Sequence, residues 1–231
     1  MCGIAGIFDT REQRPVDRDL LNRMNQVQFH RGPDDGGIHI EPGVGLAHRR
    51  LSIIDLSNGH QPLFNEDHTV VVVFNGEIYN FPSLTKELIA AGHQFRTHCD
   101  TEVIVHAWEE WGEECVSRFR GMFAFAIWDR NRRTLFLARD RLGIKPLYYT
   151  RLADGRLLFG SELKSLLECS ALPRVIDPRA VEDYFAYGYV PDPRCIFRDV
   201  YKLEPGYCLK VESGQRDLRP RQYWDVPFVS N

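Results

Sequence analysis

The sequence predicts an α+β fold built on antiparallel sheet, and three observations predict it. Short apolar runs at 122–128, 134–138, 147–150 and 157–160 follow one another with turns between them, which is a meander and not a series of βαβ units. The run Thr69-Val70-Val71-Val72-Val73-Phe74 is too apolar for an edge strand and belongs inside a sheet. Segments with helical spacing of apolar residues stand apart from the meander, at 17–27, 82–91 and 101–111.

The chain opens Met1-Cys2-Gly3-Ile4-Ala5-Gly6-Ile7-Phe8, a thiol at the second position ahead of a run that reads as a buried strand. Removal of Met1, which a small second residue permits, leaves a thiol and a free α-amine on one residue. A thiol of pKa about 8.5 is mostly protonated at neutral pH, whereas an α-amine of about 7.7–8.0 is partly unprotonated and can accept its proton. Such a terminus does the work of the histidine in a nucleophile–base pair. Cys2 as a small buried residue explains these eight positions equally well.

Asp17 is placed to cap a helix carrying Leu20, Met24 and Val27. A glycine- and charge-rich loop follows at 29–37, then short strands at 38–40, 44–48 and 51–54. The strand at 69–74 is expected to stop at Asn75-Gly76 and so to deliver polar groups to its end. Leu84, Leu88 and Ala91 share one face of the next helix, which Gly92 ends. Val103, Ile104, Ala107 and Trp108 face inward on the helix after it, and Asp100 is placed as its cap. The strands at 122–128 and 134–138 form a hairpin around residues 129–132. Short helices are expected at 161–168 and 179–187, and a strand at 206–211. Seven prolines crowd the chain from Pro173 onward, so residues 1–172 read as a core and 173–231 as an extension packing on it.

With 231 residues, 43% hydrophobic, and a formal net charge of -3, the chain has no general attraction to nucleic acid or an anionic membrane. No apolar run approaches the roughly 20 residues that span a bilayer. The N-terminus lacks the basic start and long apolar core of a secretory signal, and the expected location is cytoplasmic. The six cysteines show no CxxC pair, and the eight histidines no H-E-x-x-H pattern, so no metal site is expected. G-x-S-x-G is absent, as is the context of a papain-like cysteine.

An ordered succession of motifs carries a resemblance: Met-Cys-Gly-Ile at 1–4, His-Arg-Gly-Pro-Asp at 30–34, Ala-His-Arg-Arg-Leu-Ser-Ile at 47–53 and Gln-Pro-Leu at 61–63. Asn-Gly-Glu-Ile-Tyr-Asn at 75–80, Gly-Met-Phe-Ala-Phe-Ala at 121–126 and Arg-Asp-Arg-Leu-Gly-Ile-Lys-Pro-Leu-Tyr-Tyr at 139–149 continue it. Together they resemble the class II glutamine amidotransferase domain, an N-terminal nucleophile hydrolase, and in particular the glutaminase half of asparagine synthetase. The likeness runs in order to about Glu168 and more loosely beyond.

The resemblance implies a four-layer αββα sandwich, two antiparallel sheets face to face with helices outside. It implies Cys2 as the nucleophile on the side-chain amide of glutamine, with the Asn75 side chain and the Gly76 N–H as the oxyanion hole. It further implies Arg50 on the substrate α-carboxylate, Asp100 with Glu77 on the α-ammonium, and Ile53 in the substrate site. The domain itself would need no cofactor. A C-terminal synthetase domain, using ATP and Mg²⁺ to activate an acceptor carboxylate, would consume the ammonia. Neither the Ser-Gly-Gly-x-Asp-Ser loop of that domain nor a G-x-x-x-x-G-K-[ST] loop occurs in these 231 residues, and the chain reads as a fragment ending at the domain boundary. A second copy of the chain is a further candidate partner. Related domains serve other acceptors, such as sugar phosphates, phosphoribosyl groups or surface polysaccharides and peptides, and a scaffold that keeps the fold without hydrolysing glutamine is the remaining alternative.

Overall fold

The computed structural model describes residues 1–52, 59–215 and 217–227. Twelve strands form two six-stranded sheets among the described residues. The first has the order β10(Val200–Lys202)–β8(Tyr148–Arg151)–β9(Arg156–Gly160)–β1(Gly3–Asp9)–β3(Val44–Arg50)–β2(Asp35–Glu41). The second has the order β12(Arg221–Gln222)–β11(Tyr207–Glu212)–β7(Thr134–Arg139)–β6(Gly121–Asp129)–β5(Val70–Ile78)–β4(Leu63–Phe64). Every strand pair is antiparallel. The meander therefore divides: β6 and β7 enter one sheet, β8 and β9 the other.

Three apolar clusters set the layers. Ile4, Phe8, Val44, Leu46, Val71, Val73 and Trp128 belong to the cluster between the sheets. α1(Arg18–Gln26) packs Leu20, Leu21 and Met24 with Ala5, Ile7 and Ala47 on the outer face of the first sheet. α2(Phe81–Ala90) and α3(Asp100–Trp111) pack Leu84, Leu88, Val103, Ile104 and Trp108 on the outer face of the second. This is the αββα sandwich that the resemblance implied. Two further short helices, α4(Cys115–Arg118) and α5(Leu163–Leu166), close the outer layers, and α6(Pro178–Tyr187) follows them in the chain.

The two-residue alternation of a strand then decides what reaches the inner layer. On β1 the inward positions are Ile4 and Phe8, so Cys2, two residues before Ile4, continues the inward row. On β3 the row is Val44, Leu46, His48 and Arg50; on β5 it is Val71, Val73 and Asn75. Each row is apolar in the middle of the sandwich and polar at the same end. The register sets Gly3 opposite Arg49, which brings Cys2 beside Arg50.

His48 joins the sheets: it is fully buried, and its Nε2 donates to the Phe74 carbonyl at 3.0 Å. Burial pulls this imidazole down to about 4, with the Arg50 charge in support and the hydrogen bond to Phe74 in opposition. In the unfolded chain a histidine titrates near 6.5, so below that pH the unfolded state takes up a proton that the folded state refuses. The expected result is a loss of stability as the pH falls from about 6.5 to about 4, about 3 kcal/mol from this group, with no further loss from it below. Urea unfolding of the native chain and of His48→Gln at pH 7 and pH 4.5 checks it: the variant should lose less on acidification.

Several boundaries differ from the sequence expectation. β5 does not stop at Asn75-Gly76 but runs on to Ile78, because Asn75, Gly76 and Glu77 stay in register with Ala124, Phe123 and Met122 of β6. Gly76 permits this: a Cβ there would lie 2.2 Å from the Met122 carbonyl oxygen. β2 begins inside the expected loop, at Asp35, and the same reasoning applies to Gly37, where a Cβ would meet the Gln61 carbonyl at 2.1 Å. Leu51 and Ser52 lie outside any strand, since their N–H groups bond to Cys2 Sγ and Asp34 Oδ2 instead of a ladder; residues 53 and 54 lie outside the described residues. The helix expected at 161–168 contracts to Leu163–Leu166, because Ser161 still pairs with β1, its N–H on the Ile4 carbonyl and its Oγ on the Ile4 N–H. Asp17 does cap α1, accepting from the Leu20 N–H at 2.9 Å. Asp100 does not cap α3: Cys99 holds that position and Asp100 is the first helical residue. β4, β10, β12 and α4 are too short to show a period in the sequence.

Candidate active site

At the polar end of the sandwich lies a cavity of about 210 Å³, lined by Cys2, Arg50, Asn75, Gly76, Glu77 and Asp100 among others. Six of the seven residues singled out in the sequence meet there; the seventh, Ile53, lies outside the described residues. All the inward rows end at this point, so the site is where the sheets stop burying apolar groups.

Cys2 is half-buried, with Sγ 3.4 Å from the Leu51 N–H, which donates to it, and 3.7 Å from the Leu51 carbonyl. Burial pushes the thiol up, while the Leu51 N–H, the chain amine, Arg50 and Lys145 each pull it down. Arg31 Nε donates to the Cys2 carbonyl at 2.8 Å, and its Nη1 bonds to Glu162 Oε1 at 2.9 Å. This residue pair pins the chain terminus from behind. Met1, more than half exposed at 57%, stands at the rim.

Asn75 is 1% exposed, yet its amide Nδ2 has no hydrogen-bond partner among the described residues. A buried donor without an acceptor costs roughly 1–3 kcal/mol and calls for an explanation. On the same strand the Phe74 N–H bonds to Gln61 Oε1 at 2.7 Å, and the Ile78 N–H bonds to Asp100 Oδ2 at 2.9 Å, both on the edge of β5 away from β6. The alternation of backbone groups turns the Gly76 N–H to that same edge, between the two. Asn75 and Gly76 thus aim two donors at the cavity from adjacent residues.

The rest of the lining is charged. Arg50 is buried at 4% exposure, and Asp34 and Ser52 hold its surroundings, the Asp34 N–H on the Arg50 carbonyl at 3.1 Å and Asp34 Oδ2 on the Ser52 N–H at 2.8 Å. Asp100 is 5% exposed, and burial, helped by the neighbouring Glu77 charge, pushes its carboxyl up to about 6 against the Ile78 N–H. Lys145, 5% exposed, also lines the cavity and was not foreseen. Asp140 places it: this buried carboxylate accepts from the N–H groups of Phe123, Leu142, Ile144 and Lys145, folding 140–145 into a tight loop. Both residues belong to the motif at 139–149, but nothing local in it says which side chain turns inward. Gln61 and Thr101 complete the wall. The arrangement offers a thiol, two convergent donors, two cations and two carboxylates around a space of amino-acid size.

Solved structures share this architecture. Glutamine phosphoribosylpyrophosphate amidotransferase from B. subtilis, complexed with ADP and GMP, superposes over 96% of this chain and 49% of its own, with a TM-score of 0.67 at 18% identity. A structure described as the allosteric regulatory enzyme of purine biosynthesis does so with a TM-score of 0.68, again at 18% identity, over 96% of this chain and 49% of its own. The fold, two antiparallel sheets face to face with helices outside, is shared with both. A family model for the glutamine amidotransferase domain matches residues 1–224, and the chain belongs to that family. Among curated relatives, asparagine synthetase [glutamine-hydrolyzing] 1 of Bacillus subtilis (strain 168) is 45% identical over 99% of this chain and 36% of its own length. The putative asparagine synthetase [glutamine-hydrolyzing] 2 of Methanocaldococcus jannaschii is 39% identical over 98% of this chain and 47% of its own. The chain thus spans between a third and a half of these relatives.

Proposed function

We propose that this domain hydrolyses glutamine to glutamate and ammonia through Cys2, freed as the N-terminal residue by removal of Met1. The observation that carries the reading is the buried, unpartnered Nδ2 of Asn75 on the same cavity as the Cys2 thiol. The free amine of Cys2 takes the thiol proton and the thiolate attacks the side-chain amide carbon, moving the carbonyl electrons onto oxygen. Asn75 Nδ2 and the Gly76 N–H receive the developing oxyanion. The amine returns its proton to the leaving nitrogen, ammonia departs and a glutamyl thioester remains; water then adds to the thioester and releases glutamate. Arg50, whose planar fork suits a carboxylate, holds the α-carboxylate, and Asp100 with Glu77 holds the α-ammonium. This pairing selects a free amino acid over an amide within a peptide. Lys145 adds a second positive charge that favours the thiolate.

A carboxylate raised to about 6 has a kinetic signature. The ammonium of glutamine needs ionised Asp100, and the attack needs an unprotonated amine of pKa about 7.7–8.0. Expected kcat/KM for glutamine therefore falls with slope one below about pH 8 and with slope two below about pH 6. Asp100→Asn should raise KM and remove the second break; a profile with the same two breaks in the variant would take Asp100 out of the substrate site.

For the protein as a whole we infer amidation of aspartate to asparagine, on the strength of the relatives' names. Residues 1–172 then form the glutaminase core and 173–231 an extension whose strands β10, β11 and β12 join both sheets and which leads to a synthetase domain. ATP and Mg²⁺ belong to that domain; the residues of this chain include no phosphate-cradling loop of either pattern, so no step here runs through them. No helix among the described residues is long and apolar enough to cross a membrane. The six cysteines are free thiols, which supports a reducing, cytoplasmic setting.

The test is the mass of the N-terminal peptide after treatment with a diazoketone analogue of glutamine. Loss of Met1 with an adduct on Cys2 supports the processed terminus, the nucleophile and the glutamine pocket together. An unmodified Cys2 on a chain that has lost Met1 overturns the reading.

A further inference from the structure

We propose that Glu66, His93, His106 and Glu109 form a binding site for a divalent cation of the zinc class, built on the outer helix layer and separate from the cavity at Cys2. None of the four lines that cavity. They come from three segments: Glu66 from the turn between β4 and β5, His93 from the loop after α2, and His106 and Glu109 from successive turns of α3. No spacing in the sequence joins them, which is why the histidine pattern showed nothing.

The ligand atoms of Glu66, His93 and His106 all lie within 4.8 Å of one another. Both rings turn Nδ1 toward Glu109: Oε2 of that residue is 3.2 Å from His106 Nδ1 and 3.8 Å from His93 Nδ1. Glu66 Oε2 is 3.7 Å from His106 Nδ1. A tetrahedral zinc with bonds of about 2.0–2.1 Å sets its ligands roughly 3.3–3.4 Å apart, so the 3.7 and 3.8 Å contacts close by a few tenths of an ångström, and the wider separations, up to 4.8 Å, close by side-chain rotation of about 1 Å.

The backs of the ligands carry more weight than the distances. Metal-ligating histidines present their other nitrogen to a carboxylate, and ligating carboxylates are hydrogen-bonded in turn. Glu110 Oε2 stands 3.3 Å from His93 Nε2, and Glu102 Oε1 stands 3.7 Å from His106 Nε2, a fully buried ring nitrogen with no hydrogen-bond partner among the described residues. Glu102 is itself fixed by the N–H groups of Arg96 and Thr97, both at 2.7 Å. Glu66 spends Oε1 on the Gln94 N–H at 2.9 Å and Glu109 spends Oε1 on Asn65 Nδ2 at 2.7 Å, which leaves one oxygen of each turned to the imidazoles.

The charge balance agrees. Four carboxylates face two imidazoles, and among the described residues the ion pairs of Glu66, Glu102, Glu109 and Glu110 are with those histidines alone. Arg96 donates to the Glu66 backbone carbonyl and not to its carboxylate. Even with both rings protonated the cluster stays negative, and a dication matches it. Imidazole nitrogen and carboxylate oxygen are both zinc ligands, and four of them make up its tetrahedral shell. Bound there, the ion ties α3 to both neighbouring loops, the same helix whose first residue, Asp100, enters the cavity.

The experiment uses the full chain carrying Cys2→Ala, so that the cavity thiol does not compete, stripped with chelator and titrated with Zn²⁺ by calorimetry. One equivalent should bind, X-ray absorption should show nitrogen and oxygen neighbours without sulfur, and the midpoint of thermal unfolding should rise with zinc. His93→Gln and Glu66→Gln, both at partly exposed positions that the fold tolerates, should each weaken binding at least tenfold and abolish the thermal shift. Absence of a stoichiometric site, sulfur in the first shell, or an affinity in either variant unchanged from that of the unsubstituted site overturns the proposal. In that case the cluster is an ion-pair hub around a protonated His106.

Discussion

Cys2→Ala is expected to abolish glutamine hydrolysis, by a factor on the order of 10⁴ or more in kcat, because no second group on the cavity can replace an attacking thiolate. The nearest other thiol on the wall, Cys99, is 4% exposed and is pushed up by burial, opposed by Thr97 Oγ1, so it stays protonated. The substitution removes one half-buried sulfur whose partners are the N–H and carbonyl of Leu51, a loss the fold absorbs. Glutamine binding should survive, since Arg50, Asp100 and Asn75 are untouched. Steady-state ammonia release read beside calorimetric titration with glutamine separates the two effects. Turnover retained in this variant would remove Cys2 from the chemistry altogether.

Asn75→Ala should be the next most damaging change, lowering kcat by roughly 10²–10³, which corresponds to about 2.7–4 kcal/mol for one oxyanion donor. The effect should fall on kcat with little change in KM, because the donor meets charge that exists only in the transition state. Stability should hold or rise slightly: Asn75 Nδ2 has no hydrogen bond to lose, and removing a buried unpaired donor relieves its desolvation. The pair of results is diagnostic. A structural asparagine would show the reverse, a large fall in the unfolding midpoint with kcat intact, and a kcat within threefold of the native value would sink the oxyanion role.

Both predictions depend on residues visible from the sequence, and both depend on a geometry that was not. Cys2, Arg50, Asn75, Gly76, Glu77 and Asp100 could be marked because motif order is a local property, readable along the chain. Their convergence is not local: it follows from three strands whose inward rows turn polar at the same end of the sandwich. The expectation that β5 stops at Asn75-Gly76 failed for a related reason. Asn-Gly is a turn signal by intrinsic preference, but pairing with β6 across Met122 and Phe123 overrides it. Asp100 shows the same contest: alone it reads as a cap, whereas the folded chain offers it the Ile78 N–H, 22 residues away.

By itself, then, the sequence determined the α+β class, the helical and extended stretches, the core positions with a clear period, and the order of the chemical motifs. These rest on interactions within a few residues, which periodicity reports directly. Only the tertiary structure decided that Arg31 and Glu162 pin Cys2 from behind, that Asp140 folds Lys145 into the cavity, and that Glu66, His93, His106 and Glu109 face one another. Those groupings join residues far apart along the chain and leave no repeat in it, because side chains brought together by sheet register and helix packing need share no spacing.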